Sequence, residues 1–253
     1  MGLEVKNIQV SLSGNTIVRD VSMRIRDNQF VGLLGPNGCG KTTLLRTVYK
    51  SIKPDQGGIM LDKLDVLNTS PKEMARRLSV VGQFNELSFD FSVRQLVLMG
   101  RTPFKRMMEA DNKEDITIAN KAIAAVGLNG YENRSYSTLS GGEKQRVILA
   151  KAITQCPTFM CLDEPTNHLD INFQLRLLSI VKSLKIGILA AMHDLTLAGI
   201  FCTYIYLMQK GKVIASGAPS EVLTHDNILK VYGVECHVNP NSKTGHLDVS
   251  YII

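Results

Sequence analysis

Gly35-Pro36-Asn37-Gly38-Cys39-Gly40-Lys41-Thr42 matches the pattern G-x-x-x-x-G-K-[ST] in full. The residue types suit one task. Gly35, Gly38 and Gly40 allow backbone conformations in which successive N–H groups point inward at phosphate oxygens. Pro36, Asn37 and Cys39 supply the backbone between them, and Thr43 carries the loop into a helix whose positive end adds to the cradle. Lys41 would neutralise the β- and γ-phosphates, and the Thr42 hydroxyl would ligate Mg²⁺. This pattern alone specifies a nucleoside triphosphate and suits a kinase, a small GTPase or a motor equally well.

The second half of the chain narrows the choice. The run TFMCLDE at 158–164 is an apolar strand ending in two carboxylates. Asp163 would face the Mg²⁺ held by Thr42. Glu164 would project toward the γ-phosphate and polarise an attacking water. At 139–143 stands Leu-Ser-Gly-Gly-Glu, with Ser140 as the cap of a following helix and Gly141 and Gly142 in its first turn. That makes a second anion-binding helix end in the same chain. One nucleotide does not need two γ-phosphate cradles, so the second makes sense if it closes over a nucleotide held by another copy.

These residues need a scaffold, and the periodicities supply one. The first 30 residues alternate at period two, with Val5, Ile8, Val10, Val21, Met23 and Ile25 apolar, which predicts half-buried antiparallel strands. FVGLLG (30–35), FMCLD (159–163) and IGILAAMHD (186–194) read as strands buried on both faces, as in parallel sheets. Leu44, Leu45, Val48 and Ile52 recur at helical spacing, as do Ile171, Leu175, Leu178 and Val181. From Ser92 to about Pro157 the periodicity is mostly helical, which predicts a helical insertion in a parallel core. The tail reads as a hairpin around Asn-Pro-Asn and a glycine.

Composition agrees. The 253 residues are 44% hydrophobic and 21% charged, close to globular averages. The longest stretch without a charged residue, Leu195–Gln209, has 15 residues, short of the roughly 20 a spanning helix needs. No secretory signal is expected at the start, which points to the cytoplasm. The net charge of +6 is scattered rather than blocked, so a mixed solvated surface is expected and no nucleic acid partner. Five cysteines without a C-x-x-C pair indicate neither a disulfide framework nor a zinc site.

Taken together, the sequence resembles the ATPase subunit of ATP-binding cassette (ABC) transporters across essentially its whole length. The resemblance implies an α/β fold with a RecA-like P-loop core, an antiparallel β subdomain and an inserted helical subdomain. It divides one cassette into a catalytic core, 1–87 and 158–253, and a helical part, 88–157, that carries LSGGE. It implies that Gln83 is the Q-loop glutamine, contacting Mg²⁺ or water and relaying to the permease. Asp170 is then the D-loop aspartate, and His193 the switch histidine that holds the γ-phosphate and attacking water. Two copies would sandwich two ATP at the cytoplasmic face of the membrane, each site built from Lys41 and its loop in one and Ser140 and Gly142 in the other. The stretch 91–104 is similar to the part of importer ATPases that receives a transmembrane permease. Together with EPTNHLDI, MHDLTLA and GKVIASGAPSEVL it resembles the subgroup importing ferric siderophores, haem and cobalamin, which are delivered by a substrate-binding protein. An iron–sulfur assembly ATPase is the nearest alternative, and the GRTP segment argues against it.

Two positions in this pattern carry further expectations. Cys39 lies beside Lys41 and a positive helix end, which favour a reactive thiolate, unless its sulfur packs away. The place where such cassettes usually stack an aromatic ring on adenine falls on Leu12, and no residue before Phe30 is aromatic. Stacking is worth roughly 1–3 kcal/mol per base, so affinity should rest unusually on the phosphates and discrimination of ATP from GTP should be weak. Leu12→Tyr should tighten nucleotide binding a few-fold or more in equilibrium titrations while leaving turnover at saturation nearly unchanged, because stacking is equal in ground and transition states. An unchanged dissociation constant would mean another group holds the base.

Overall fold

The computed structural model describes residues 2–82, 90–167 and 169–252. Strands β1 (Gly2–Leu12), β2 (Asn15–Arg26) and β3 (Phe30–Leu34) lead into helix α1 (Lys41–Val48), then β4 (Gln56–Leu61), the two-residue β5 (Leu64–Asp65), the single turn α2 (Pro71–Met74) and β6 (Leu78–Val81). A helical stretch follows, with α3 (Val93–Leu98), a 3-10 segment (Met99–Phe104), α4 (Lys113–Ala125) and α5 (Gly141–Thr154). The chain returns to β7 (Phe159–Asp163), α6 (Ile171–Ser183), β8 (Gly187–Ala191), α7 (Leu195–Phe201), β9 (Tyr204–Gln209) and β10 (Lys212–Gly217). It closes with α8 (Pro219–Val222), α9 (His225–Tyr232) and a hairpin, β11 (Cys236–Pro240) and β12 (Leu247–Tyr251).

Two sheets dominate. The alternating N-terminal residues form an antiparallel sheet in the order β2-β1-β4-β5, with Leu3, Val5, Ile8 and Val10 turned inward. The second sheet runs β10-β9-β3-β8-β7-β6, parallel throughout except for the edge pairing of β10 on β9. Every residue of β3, β7 and β8 is buried, as their continuous apolar runs require. Successive residues serve opposite faces. Val31, Leu33, Phe159 and Cys161 join a core with α1 and the antiparallel sheet, whereas Phe30, Leu34, Met160 and Leu162 join a core with α3, α4 and α5. The fold thus matches the expected mixed architecture, a mainly parallel sheet between an antiparallel layer and a helical layer.

Two local expectations need correction. Helix α1 stops at Val48, since Lys50 takes a left-handed φ of 63°, so Ile52 lies beyond the helix while still packing on the core. In α6 the buried face is Leu177, Leu178 and Val181, whereas Ile171 and Leu175 are exposed. The first turn of that helix stands clear of the core, so the apolar spacing there does not report burial. In the 3-10 segment, a Cβ on Gly100 would meet the Lys151 carbonyl oxygen at 2.3 Å, so the close approach to α5 requires glycine there.

The helical layer holds a buried ionic knot. Arg101 donates from Nε to Asp115 at 3.0 Å and from Nη1 to the Thr154 carbonyl at 3.1 Å, with its guanidinium 4.1 Å from the Phe104 ring centroid. Lys105 adds a second cation 3.3 Å from Asp115. Burial alone would raise the Asp115 carboxyl, but Arg101, the Asn112 amide and Lys105 outweigh it and hold it below the ordinary range. A carboxyl lowered on folding contributes stability well above about pH 4 and loses it as pH falls through the folded value. Asp115→Ala should cost roughly 3 kcal/mol at pH 7, because it strands the buried Arg101 charge, and the deficit should shrink toward pH 3. Urea midpoints of the two proteins at both pH values measure this, and equal midpoints at pH 7 would refute it.

Candidate functional site

The loop after β3 is shaped by close approach. Gly35 has φ 147°, and a Cβ on it would stand 2.2 Å from the Met208 carbonyl oxygen on neighbouring β9. Gly38 (φ 75°) and Gly40 (φ 106°) are also left-handed, and Gly40 begins α1 without any side-chain cap. The first-turn amides of α1 therefore stay free of side-chain competitors, which is the requirement for a phosphate cradle. The turn between β9 and β10 braces this loop. Gly211 donates its N–H to the Cys39 carbonyl at 3.0 Å, and its own carbonyl accepts from Arg19 of β2 at 2.8 Å.

Lys41 is nearly fully buried and folds back over the loop, donating to the Gly35 carbonyl at 2.7 Å and the Pro36 carbonyl at 3.2 Å. Burial lowers its pKa from the usual lysine value. Thr42 Oγ1 donates to Asp163 Oδ1 at 3.0 Å, across a sequence gap of 121 residues. Burial pushes the Asp163 carboxyl up, against the opposing pull of the Thr42 hydrogen bond. The sheet order explains this meeting, since β3, β8 and β7 are consecutive neighbours and all end on the same edge.

Glu164 leaves that edge with a left-handed φ of 52°, and its N–H donates to the Ala191 carbonyl at 3.2 Å. Its carboxylate is gripped on both oxygens. Asn167 Nδ2 donates to Oε2 at 2.6 Å, and His193 Nε2 pairs with Oε1. His193 is set at the end of β8 by Asp194, which caps α7 by accepting from the Leu197 N–H at 2.8 Å. An open cleft of about 800 Å³ collects Leu12, Ile17, Asn37, Gly38, Gly40, Lys41, Thr42 and Thr43 with Glu164, Asn167 and His193.

The sequence motifs thus converge, with additions and exceptions. Leu12 lines the cleft as expected, at 40% exposure, and Ile17 joins it unannounced. The pairing of Leu12 with Asn15 across a two-residue turn is the signal that would have found Ile17. Asn167 was also missed, although its place three residues after Glu164 in a turn favours contact. Ser140, Gly141, Gly142 and Asp170 do not line this chain's cleft. Ser140 caps α5 by accepting from the Glu143 N–H at 3.4 Å, and Asp170 caps α6 by accepting from the Phe173 N–H at 3.0 Å. Gln83 lies outside the described residues.

Of the two readings open for Cys39, a reactive thiolate or a packed sulfur, the structure shows the packed one. It is 4% exposed, its sulfur packs under Gly35, and burial raises the thiol despite the nearby Lys41 charge. Desolvation wins over the helix end and the ammonium.

A glycine cradle on a mainly parallel sheet, an acidic strand end facing it and a second capped helix end held apart are the parts of an ATP-binding cassette fold. The chain belongs to the ABC transporter family, whose sequence pattern matches residues 18–167. It is 39% identical to the cobalamin import ATP-binding protein BtuD of Halobacterium salinarum over 99% of this chain, and spans 63% of that protein's length. It is 35% identical to the ferric enterobactin transport ATP-binding protein FepC of Escherichia coli, covering 88% of this chain and 84% of that one. The hemin import ATP-binding protein HmuV of Bordetella pertussis is 34% identical over 94% of each chain. The fold superposes with a TM-score of 0.86 on an inward-facing ABC transporter of the metal-chelate type, at 23% identity, covering 99% of this chain and 96% of that one.

The cysteine geometry makes a simple prediction. Among the five, Cys156 is exposed and the others are buried. An alkylating reagent at limiting ratio should label Cys156 first, with nucleotide affinity preserved, as peptide mapping and a binding titration will report. Fast labelling of Cys39 that nucleotide suppresses would contradict the packed position of its sulfur.

Proposed function

We propose that this chain is the ATP-hydrolysing subunit of an importer that moves an iron chelate such as a siderophore, haem or cobalamin through a membrane permease. The observation that carries this reading is the division of motifs. The cradle, Glu164 and His193 share one cleft, while Ser140–Gly142 and Asp170 present a second anion-binding end outside it. A second copy placed head-to-tail would bring that end over the nucleotide, giving two ATP per pair. The relatives named for cobalamin, enterobactin and hemin import favour this cargo class.

Each residue then has a task. The loop amides from Gly35 to Thr43 hold the triphosphate, and Leu12 with Ile17 offers an apolar seat for the base. Lys41 already spends two N–H groups on loop carbonyls and has a third to give to a phosphate oxygen. The Thr42 hydroxyl and Asp163 carboxylate form a half-buried hard-oxygen pair, a donor set that fits Mg²⁺, and Gln83 is assigned as a further ligand. Mg²⁺ bound there would offset charge on the β- and γ-phosphate oxygens. Glu164 takes a proton from the attacking water as its oxygen bonds to the γ-phosphorus and the bond to the bridging oxygen breaks. His193 holds Glu164 until a γ-phosphate competes for its ring nitrogen, and then steadies that phosphate.

The partners follow from the same reading. Residues 88–157 form the helical subdomain between core segments 1–87 and 158–253. Gln83 and the 91–104 region receive the permease, which in turn meets a substrate-binding protein. The subunit sits peripherally at the cytoplasmic face of the membrane, and among the described residues no helix is long and apolar enough to cross it.

Glu164→Gln keeps size and hydrogen bonding but removes the base, so turnover should fall about 10²–10⁴-fold while ATP still binds. The variant should accumulate as an ATP-bound dimer in size-exclusion chromatography with light scattering. Near-normal phosphate release would remove Glu164 from this role. In cells lacking the native gene, the same variant should fail to restore uptake of the labelled cargo.

A further inference from the structure

Phe173 occupies the first turn of α6, with its N–H bound to the Asp170 carboxylate at 3.0 Å. Its ring leaves that helix and lies on α5. A Cβ built on Gly142 would stand 3.3 Å from the ring edge, tighter than ordinary contact, so the ring rests directly on the Gly142 backbone. One helical turn further on, the Arg146 guanidinium lies over the same ring, 5.1 Å from its centroid. Arg146 Nη1 donates to the Val126 and Gly127 carbonyls at the end of α4, at 3.4 and 3.1 Å. Its Nε is buried with no hydrogen-bond partner among the described residues, and the aromatic ring lies within cation–π range of the guanidinium.

The loop before α6 is tied into the same assembly. Gln174, beside Phe173, donates to the carbonyls of Thr166 at 3.1 Å and Leu169 at 3.0 Å. Gln145 of α5 reaches the Pro165 carbonyl at 3.5 Å. A continuous set of contacts therefore joins the Asp170 loop, the N-terminus of α5 and the end of α4. Phe173 is its keystone, because its ring rests on the backbone at Gly142 while its own N–H is held by the Asp170 carboxylate.

We propose that Phe173 is a positioning residue that fixes Asp170 against Ser140–Gly142, so that both present one preset surface to the nucleotide on a second copy of this chain. The inference rests on the head-to-tail reading above and deepens it. Two separately mobile segments would each lose freedom on closing over a nucleotide, whereas a joined pair has lost it on folding. Positional error is costly, since a displacement of about 1 Å can reduce a rate on the order of 100-fold. Nucleotide binding by the single chain does not involve this ring, which lies outside the cleft.

The test uses the full chain with Phe173→Ala, Phe173→Leu and Phe173→Tyr. Phe173→Ala should lower turnover about ten-fold or more and weaken ATP-driven dimerisation in a Glu164→Gln background by a similar factor. Its equilibrium affinity for a fluorescent ATP analogue should stay within about two-fold of the parent, since the cradle is untouched. Phe173→Tyr, which keeps the ring, should behave as the parent, with Phe173→Leu between. Parent-like dimerisation and turnover in Phe173→Ala would overturn the inference. So would a parallel loss of single-chain nucleotide affinity, since the ring would then merely support the fold. If the Glu164→Gln parent itself fails to dimerise with ATP, the head-to-tail reading falls and takes the inference with it.

Discussion

A fully buried strand must turn straight into a helix without letting any side chain satisfy the first amides of that helix. Most of the structure follows from this requirement at β3 and α1. The turn presses Gly35 against the Met208 carbonyl, where a Cβ would stand 2.2 Å away. It also leaves Gly40 in the left-handed region at the helix start. The amides kept open in this way form an anion-binding helix end. Lys41 lies over the loop, its ammonium resting on two of the loop's own carbonyls. The loop thus carries its own cation, which the Glu164 and Asp163 carboxylates favour from across the cleft.

Sheet order does the remaining assembly. Because β3, β8 and β7 are adjacent and parallel, their ends deliver Lys41 and Thr42, His193, and Asp163 and Glu164 to one edge. Parallel pairing needs long crossovers, so residues that meet at 3.0 Å lie over a hundred positions apart in sequence. The helical stretch between β6 and β7 is one of those crossovers. It carries Ser140 and Gly142 away from the cleft its own chain builds.

Local chemistry in the sequence reports much of this and fails in recognisable places. The run at 159–163 coincides with β7 and the run at 30–35 overshoots β3 by Gly35 alone, since strands buried on both faces leave no polar position to blur their limits. The phosphate loop is legible for the same reason that it works, namely that few residues other than glycine tolerate its dihedrals. Ile171 and Leu175 mislead because helical spacing records a possible face and not whether the sheet extends beneath it. Cys39 misleads differently. The charges that would ionise its thiol are local and readable, whereas the packing of its sulfur under Gly35 depends on β9, some 170 residues away in sequence (roughly), and on burial that no local pattern encodes. Ile17 and Asn167 join the cleft through a hairpin register and a turn, features of geometry more than of residue type.

The brace at Gly211 has a consequence of its own. Its N–H holds the Cys39 carbonyl of the phosphate loop, and its carbonyl holds the Arg19 amide on the strand that carries Ile17. Both ends of the cleft are therefore hung from a single peptide-thick hinge pin, and the span between them is fixed as the jaws of a caliper are fixed by its beam. The separation of the phosphate loop from the strand that carries Ile17 is therefore set by backbone hydrogen bonds, which exchanging the side chains that line the cleft would leave in place.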